Sequence, residues 1–275
     1  MPAAAKITGK MRIAFHLMAG LLCLLLLPQG IAASGTVDEV TDCLEENTPK
    51  VSSVQIVEFT ATDRIGGRRI SRAKIYGKRF AGDGLRRVLT HINKPPEMRG
   101  SAVLMIEREE GSPDVFLYST EMRNVKRITA HGAGGSLFGT DFSYEDFARW
   151  QRLNQPGQTV RLEDSVVAER PVYVVETTPA DEAESSYTRV VSFIDRETCV
   201  VLKTESYEKP DQLRKVSTAD PEHVINEGGV WVATKLVMRD VRDETHTDVT
   251  VEDIEIDREL RDGMFSISQL QRLKD

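Results

Sequence analysis

The sequence predicts a mainly β fold of the α+β class, in which helices cover one strongly curved antiparallel sheet. Two observations predict it. About ten segments alternate apolar and polar residues with the two-residue period of strands, and turn signals separate them every 8–12 residues or so. The 275 residues show no internal repeat and no linker of biased composition, which favours one domain with a sizeable core.

The first 33 residues have the organisation of a secretory signal peptide, with predicted cleavage after Ala33. A basic start without acids precedes an apolar run over residues 13–27 and a stretch of small residues. The run is short for a transmembrane helix, and Cys23 lacks the small preceding residue that lipid-modified cysteines have. We therefore expect an exported, soluble mature chain, residues 34–275, folded as a single domain.

The mature N-terminus is predicted to begin with a helix. Val37, Val40, Cys43 and Leu44 fall on one face at helical spacing, and Pro49 marks the end of the pattern. Asp38 and Glu39 near its start are favourable at the positive end of the helix dipole.

Strand signals then continue to about residue 130. Gly66 and Gly67 predict a tight hairpin turn between the first two segments, and Pro95-Pro96 ends the third. The segments "SAVLMIERE", "DVFLYS" and "NVKRITA" follow as further strands.

The two-residue period resumes at about residue 159 and ends in "THTDVTVEDIEID", where one slip at Asp253 predicts a β-bulge. The closing residues "SISQLQRLK" predict a short amphipathic helix with Ser266 or Ser268 as its N-cap.

The net charge limits the classes of binding partner, and the cysteines allow one disulfide. The net charge is −7, and the predicted signal removes bases but no acids, so we expect no nucleic-acid partner and only transient membrane contact. Cys43 and Cys199 remain in the mature chain. An oxidising compartment allows a disulfide between them, while two separate buried thiols are the alternative.

Motifs of catalytic and cofactor sites are missing from the sequence. "HGAGGS" lacks the Lys-Ser or Lys-Thr of a phosphate loop, G-x-S-x-G is absent, and no two histidines have the spacing of metal ligands. We expect no cofactor, no metal and no enzymatic activity. A hydrolase would need a nucleophile–base pair that the sequence does not offer.

The stretch "GTDFSYEDF" predicts the start of a helix that covers the open face of the sheet. With Ser143 as N-cap, Asp146 occupies N3, and Phe142 and Phe147 occupy the two positions of a hydrophobic staple. A glycine-rich loop precedes this aromatic helix.

This central region also resembles a known family. "VFLYSTEMRNVKRITAHGAGGSLFGTDFSYEDF" is similar to a segment of the outer-membrane lipoprotein-sorting proteins, in the LolA/LolB-like superfamily. The family's proline after the tyrosine is missing here, near Thr120. "CLEENTP" and the region from "TKLVMRDV" onward are also similar, so the resemblance covers most of residues 37–273.

The resemblance implies a periplasmic half-barrel of about 10–11 strands with lid helices over an apolar concave face. It implies a carrier that binds the acyl chains of a lipoprotein or lipid and works with an envelope transporter, such as an RND-type inner-membrane exporter. The implied lid and hinge residues are Phe138, Gly139, Phe142, Tyr144, Phe147 and Trp150. Arg123 or Arg127 would contact a polar headgroup.

A second class of function fits the same fold. A lipid-sensing or adaptor protein would bind a partner's periplasmic domain without catalysis. A carrier releases its cargo to an acceptor, whereas a sensor changes its affinity for a protein partner.

Overall fold

The computed structural model describes residues 35–272, and the predicted signal peptide, 1–33, lies outside the described residues. Two α-helices lie in that part of the chain, α1 (Val37–Glu46) and α2 (Tyr144–Trp150). Strands before α2 are β1 (Ser52–Thr62), β2 (Arg68–Arg79), β3 (Arg86–Lys94), β4 (Ala102–Ile106), β5 (Asp114–Ser119) and β6 (Asn124–Ile128). Strands after α2 are β7 (Gly157–Arg161), β8 (Ser165–Val167), β9 (Arg170–Pro179), β10 (Arg189–Asp195), β11 (Val201–Glu208), β12 (Gln212–Ala219), β13 (Val224–Glu227), β14 (Val230–Ala233), β15 (Lys235–Asp240) and β16 (Thr245–Ile256).

Fourteen of the strands described for residues 35–272 form one open antiparallel sheet, and β13 and β14 form a separate hairpin. The sheet runs β6-β5-β4-β3-β2-β1-β16-β15-β12-β11-β10-β9-β7, with β8 paired to β9. The first and last long strands therefore lie side by side at its centre. The predicted fold class is confirmed. The sheet has more strands than the 10–11 expected, partly because residues 157–179 divide into three strands, the short β7 and β8 and the ten-residue β9.

Local turn chemistry explains two features of the central strands. The hairpin predicted at Gly66-Gly67 joins β1 to β2, and the backbone N–H of Asp63 donates to the Gly67 carbonyl over 2.9 Å. Between β1 and β16 the register shifts, because Glu252 is an extra residue between the pairs of Val251 and Asp253. This is the bulge that the alternation predicted, and a bulge bends the strand that contains it.

Helix α1 begins and ends as the sequence predicted. Thr36 accepts a hydrogen bond from the backbone of Glu39 at the N-terminus, and the helix ends before Pro49. The sulfurs of Cys43 and Cys199 are bonded, with Cα atoms 5.5 Å apart. The sequence left this pairing open. The bond fixes α1 to the turn between β10 and β11.

The structure corrects the prediction of a short amphipathic helix at the C-terminal end. Residues Ile267–Gln269 form only a turn of 3₁₀-helix. Ser266 occupies the predicted N-cap position, but its hydroxyl donates backwards to the Gly263 carbonyl over 3.0 Å and accepts no hydrogen bond from the N–H groups of the following turn. Leu270 still anchors the segment, since its side chain is buried.

Alternation along the strands of the first half places apolar side chains on both faces of the sheet. On β4, Val103 and Met105 pack with α2 on the concave face, whereas Leu104 packs on the convex face with Phe265. Both faces of this half are therefore filled. Neither helix within residues 35–272 has the length and apolar character needed to cross a membrane.

Candidate binding cavity

Helix α2 begins after Ser143, the N-cap that the sequence predicted, and Asp146 at N3 completes a capping box with it. The backbone N–H of Asp146 donates to Ser143 Oγ over 3.0 Å, and the Ser143 N–H donates to Asp146 Oδ2 over 2.9 Å. Phe142 and Phe147, the predicted staple, are both buried. Local sequence thus fixes where this helix starts and how the chain enters it.

A buried charge network attaches α2 to the sheet. Lys215 Nζ on β12 donates to Asp146 Oδ2 over 2.8 Å and to the Asp141 carbonyl over 2.7 Å. The Tyr187 hydroxyl donates to Asp146 Oδ1 over 2.8 Å. Burial alone would raise the pKa of Asp146, but the Lys215 ammonium with its hydrogen bond, the Ser143 N–H and the charge of Arg149 outweigh it and hold the pKa below its usual value.

The loop before α2 is attached to the sheet as well. The Thr247 hydroxyl on β16 donates to Asp141 Oδ2 over 2.6 Å, and the Asp141 N–H donates to Thr247 Oγ1 over 2.9 Å. Thr245 donates to the other oxygen of the Asp141 carboxylate. Two of the three acids of "GTDFSYED", Asp141 and Asp146, therefore bind the sheet, and the third, Glu145, accepts from Ser185 Oγ over 2.7 Å.

A cavity of about 170 Å³ lies between α2 and the second half of the concave face. Its floor comes from β1, β10–β12, β15 and β16, and its cover comes from α2, the end of α1 and the β13–β14 hairpin. Most of the lining is apolar. The apolar lining residues are Pro49, Phe142, Trp150, Val200, Val201, Ala219, Val230, Trp231, Val232, Ala233, Leu236, Met238, Val251, Ile254 and Ile256.

The hairpin in this cover was missed at the sequence level. Its turn residues Gly228 and Gly229 have φ of 57° and 86°, the left-handed values of a two-residue hairpin turn. The Asn47 side chain at the end of α1 donates to the Trp231 carbonyl over 3.0 Å and accepts from the Trp231 N–H over 2.6 Å. The Gly-Gly pair between apolar segments was the available signal.

Polar side chains concentrate where α2 ends. Arg86, Arg149 and Arg152 all line the cavity. Arg149 is neutralised, because its guanidinium lies 3.2 Å from Glu145 Oε1. The hydrogen bonds of the other two guanidiniums go to backbone carbonyls, Arg86 to Pro49 over 3.5 Å and Arg152 to Cys199 over 3.3 Å.

Burial lowers the pKa of the Arg86 and Arg152 guanidiniums. Desolvation, with the nearby Arg79, lowers the pKa of Arg86 to about 10, although Glu107 opposes the change. Desolvation and Arg86 itself lower the pKa of Arg152 to about 10. Both guanidiniums remain charged at neutral pH.

The six predicted lid and hinge residues divide into three groups. Phe142 and Trp150 line the cavity, with ring centroids 5.7 Å apart. Tyr144 and Phe147 belong to the core between α2 and the sheet, and so support the cover from beneath. Phe138 and Gly139 form the turn before α2 and do not line the cavity. Their φ values of 52° and 74° are left-handed, which a glycine adopts without strain.

The two arginines predicted for a headgroup lie elsewhere. Arg123 occupies the turn between β5 and β6, and Arg127 lies on β6, paired with Asp114. Strand β6 is the edge of the sheet opposite the strands that form the cavity floor. Neither arginine lines the cavity, because the fold separates this edge from the end of α2.

Comparisons with known proteins agree with this architecture. A family model described as "Uncharacterized protein" matches residues 84–272, more than half of the chain. No curated protein matches the sequence.

Three solved structures share the fold. A domain assigned to the outer membrane lipoprotein-sorting proteins of Vibrio parahaemolyticus is 22% identical with a TM-score of 0.77, over 86% of this chain and 98% of that one. A DUF1329 family protein from Desulfovibrio piger is 22% identical with a TM-score of 0.77, over 85% and 96% of the two chains. A LolA superfamily protein from Nitrosomonas europaea is 19% identical with a TM-score of 0.67, over 86% and 99%. The chain therefore belongs to the family whose model matches residues 84–272, and its fold is that of the lipoprotein-sorting and LolA superfamily structures.

Proposed function

We propose that this protein is a periplasmic carrier that binds the acyl chains of a lipoprotein or lipid in the cavity under α2 and β13–β14. The observation that supports it is the apolar cavity itself, which remains open although the other half of the concave face is filled by side chains. The names of the structures with this fold, a lipoprotein-sorting domain and a LolA superfamily protein, point the same way.

The energetics of such a site are favourable. Each CH₂ group that leaves water contributes about 0.8 kcal/mol, so burying half of a common acyl chain contributes about 6 kcal/mol before the cost of opening the cover. A carrier needs this intermediate affinity, because it must also release its cargo. Phe142 and Trp150 would contact the chain from the α2 side.

The remaining parts of the proposal follow from the family resemblance and the N-terminal sequence. The signal peptide would deliver the chain to the periplasm, where it would receive cargo from an envelope transporter such as an RND-type inner-membrane exporter. Binding and release require no covalent step, so the proposed role is non-catalytic.

Native mass spectrometry tests this function directly. The mature protein would be isolated from the periplasm without detergent, and its bound species identified after extraction. We expect an acyl-containing molecule at a ratio near one to one. A protein that carries nothing and takes up no added lipid would instead support the adaptor that binds a partner's periplasmic domain.

A variant that fills the cavity sharpens the test. Ala219 lines the floor, so Ala219→Trp should displace the co-purified species. Ala81→Trp is the matched control, because Ala81 is exposed in the loop between β2 and β3, away from the cavity. Equal lipid content in the two variants would contradict the assignment of the cavity.

A further inference from the structure

Arg86, on β3, and Arg152, just after α2, form an arginine pair in the cavity. This pair has properties that a cavity for an acyl chain alone does not explain. Arg86 is only 4% exposed, yet its Nε has no hydrogen-bond partner among the described residues. Arg152 is partly buried beside it. Both residues line the same cavity.

Nearby acids do not neutralise this pair. Among the described residues, Glu107 is the acid that opposes the lowered pKa of Arg86, and its carboxylate already accepts from the backbone N–H groups of Arg86 and Asn154, at 2.7 and 2.8 Å. Asp146 also lines the cavity but is bonded to Lys215. Two cations therefore share, at most, one partly engaged carboxylate.

The backbone of Arg152 adds a second observation. It is the residue just after the C-cap of α2, where its φ is 60°, a conformation in which glycine is favoured. The Arg152 N–H donates to the Arg149 carbonyl and the Leu153 N–H to the Ala148 carbonyl, the bonds of a Schellman motif. An arginine at this position costs stability, and a residue held in strain beside a cavity points to a role in binding.

We propose that Arg86 and Arg152 bind the anionic head of an amphiphile, a carboxylate or a phosphate ester, whose acyl tail lies on the apolar lining of β15, β16 and the β13–β14 hairpin. This inference rests on the proposed function and names its ligand class. An anion between the two guanidiniums supplies the negative charge that the side chains around this pair do not. Guanidinium groups form their strongest hydrogen bonds with the charged oxygens of carboxylates and phosphates.

The cavity contains its own reporters for the test. The chain has two tryptophans, and both Trp150 and Trp231 line the cavity. Intrinsic fluorescence would be followed while the mature protein is titrated with hexadecanoate, hexadecyl phosphate or hexadecan-1-ol, each below its aggregation threshold. Inorganic phosphate alone serves as a fourth ligand that lacks a tail.

We expect the two anions to bind at least about tenfold more tightly than the alcohol, because hydrogen bonds to charged groups are the strong ones. The ratio of the two anions then distinguishes a carboxylate head from a phosphate head. Inorganic phosphate should bind weakly, since it leaves the apolar lining empty.

Variants assign the effect to the arginines. Arg86→Gln and Arg152→Gly should each weaken binding of the anions about tenfold and leave the alcohol within about twofold. Arg123→Gln, at an exposed arginine outside the cavity, is the matched control and should change nothing. Arg152→Gly should also melt no lower than the unaltered chain, so a folding defect cannot imitate the result.

The outcomes separate this inference from the proposed function. Equal binding of acid and alcohol, or anion binding unchanged in both arginine variants, overturns the anionic headgroup site and leaves an apolar carrier. Failure of all three amphiphiles to bind overturns the carrier proposal, and the headgroup site with it.

Discussion

Helix α2 and the β13–β14 hairpin cover the same cavity, but they are attached to the molecule in different ways. Helix α2 and its loop are held by hydrogen bonds to the carboxylates of Asp146 and Asp141. The donors are the buried side chains of Lys215, Tyr187 and Thr247. The hairpin lies outside the main sheet and has two strands of four residues each. Two hydrogen bonds to Asn47 attach it to α1.

The difference indicates which part of the cover moves. An isolated two-stranded hairpin is marginally stable, whereas breaking a buried ion pair is expensive. We therefore expect α2 to act as a fixed wall and the hairpin to open first. This reverses the emphasis of the sequence-based prediction, which assigned the mobile role to the aromatic helix and its glycine loop.

Removing the cation of the buried network is the largest expected perturbation. Lys215→Met leaves the Asp146 carboxylate buried without its partner, which should lower the free energy of unfolding by about 3–5 kcal/mol at neutral pH. Urea unfolding measures it. The double variant Lys215→Met with Asp146→Leu should recover much of the loss. A single variant as stable as the unaltered chain would remove the case for a fixed wall.

The pH dependence of the same network has a defined sign. Because the pKa of Asp146 is held low in the folded chain, its contribution is present above the unfolded pKa, about 4, and is lost as pH falls through the folded value. Without Lys215, burial should raise that pKa instead. The deficit of Lys215→Met should therefore shrink between about pH 7 and pH 4, which unfolding at each pH would show.

The disulfide supports the hairpin indirectly, through α1. Cys43→Ser with Cys199→Ser should lower the free energy of unfolding by about 2–4 kcal/mol, because the bond closes a loop of 156 residues. Thermal melting measures it, and a reducing agent should lower the melting temperature of the unaltered chain but not of the variant. Hydrogen exchange should rise more in β13–β14 than in α2.

Asn47 provides a more selective way to loosen the hairpin. Asn47→Ala removes both bonds to Trp231 and should cost about 1–2 kcal/mol. Hydrogen–deuterium exchange should accelerate over residues 230–233 while α2 stays protected. Asn226→Ala, which removes one exposed turn bond in the same hairpin, is the matched control. Equal acceleration in α2 would contradict a cover of two independent parts.

The smallest expected effect is a gain in the stability of the fold. Arg152→Gly places glycine at the left-handed position after α2 and should stabilise the fold by up to about 1 kcal/mol. Differential scanning calorimetry would detect it. Arg123→Gly, at another residue with positive φ but on an exposed turn, controls for the general benefit of glycine. A loss at Arg152 would mean that its bond to the Cys199 carbonyl outweighs the strain.

Local rules predicted the parts of the fold that depend on neighbours in sequence. The cap and staple of α2, the Gly66-Gly67 turn and the bulge beside Asp253 each follow from a few adjacent residues. The detached hairpin did not follow, because "VWVATKLVMRDV" has one continuous strand pattern although the chain leaves the hairpin at Thr234. Its destination depends on contacts that are distant in sequence.

The candidate site was less predictable than the fold, for a related reason. Arg86 in "LRRVL" has the pattern of an ordinary exposed charge on a strand, and Arg152 that of a charge after a helix. Only the folded chain places the two beside each other in one cavity. The acids Asp141 and Asp146 likewise gained their roles from Thr247 and Lys215 on remote strands.

The bond between Cys43 and Cys199 also bears on how the protein withstands proteases. The loop that it closes, 156 residues in sequence separation, includes α2 and the strands from β1 to β10. A single cut anywhere within that loop leaves two fragments that remain covalently joined and packed in the same sheet. Exposed turns such as that at Gly66 can therefore be nicked without dissociation of the pieces, and the damage becomes visible only after reduction.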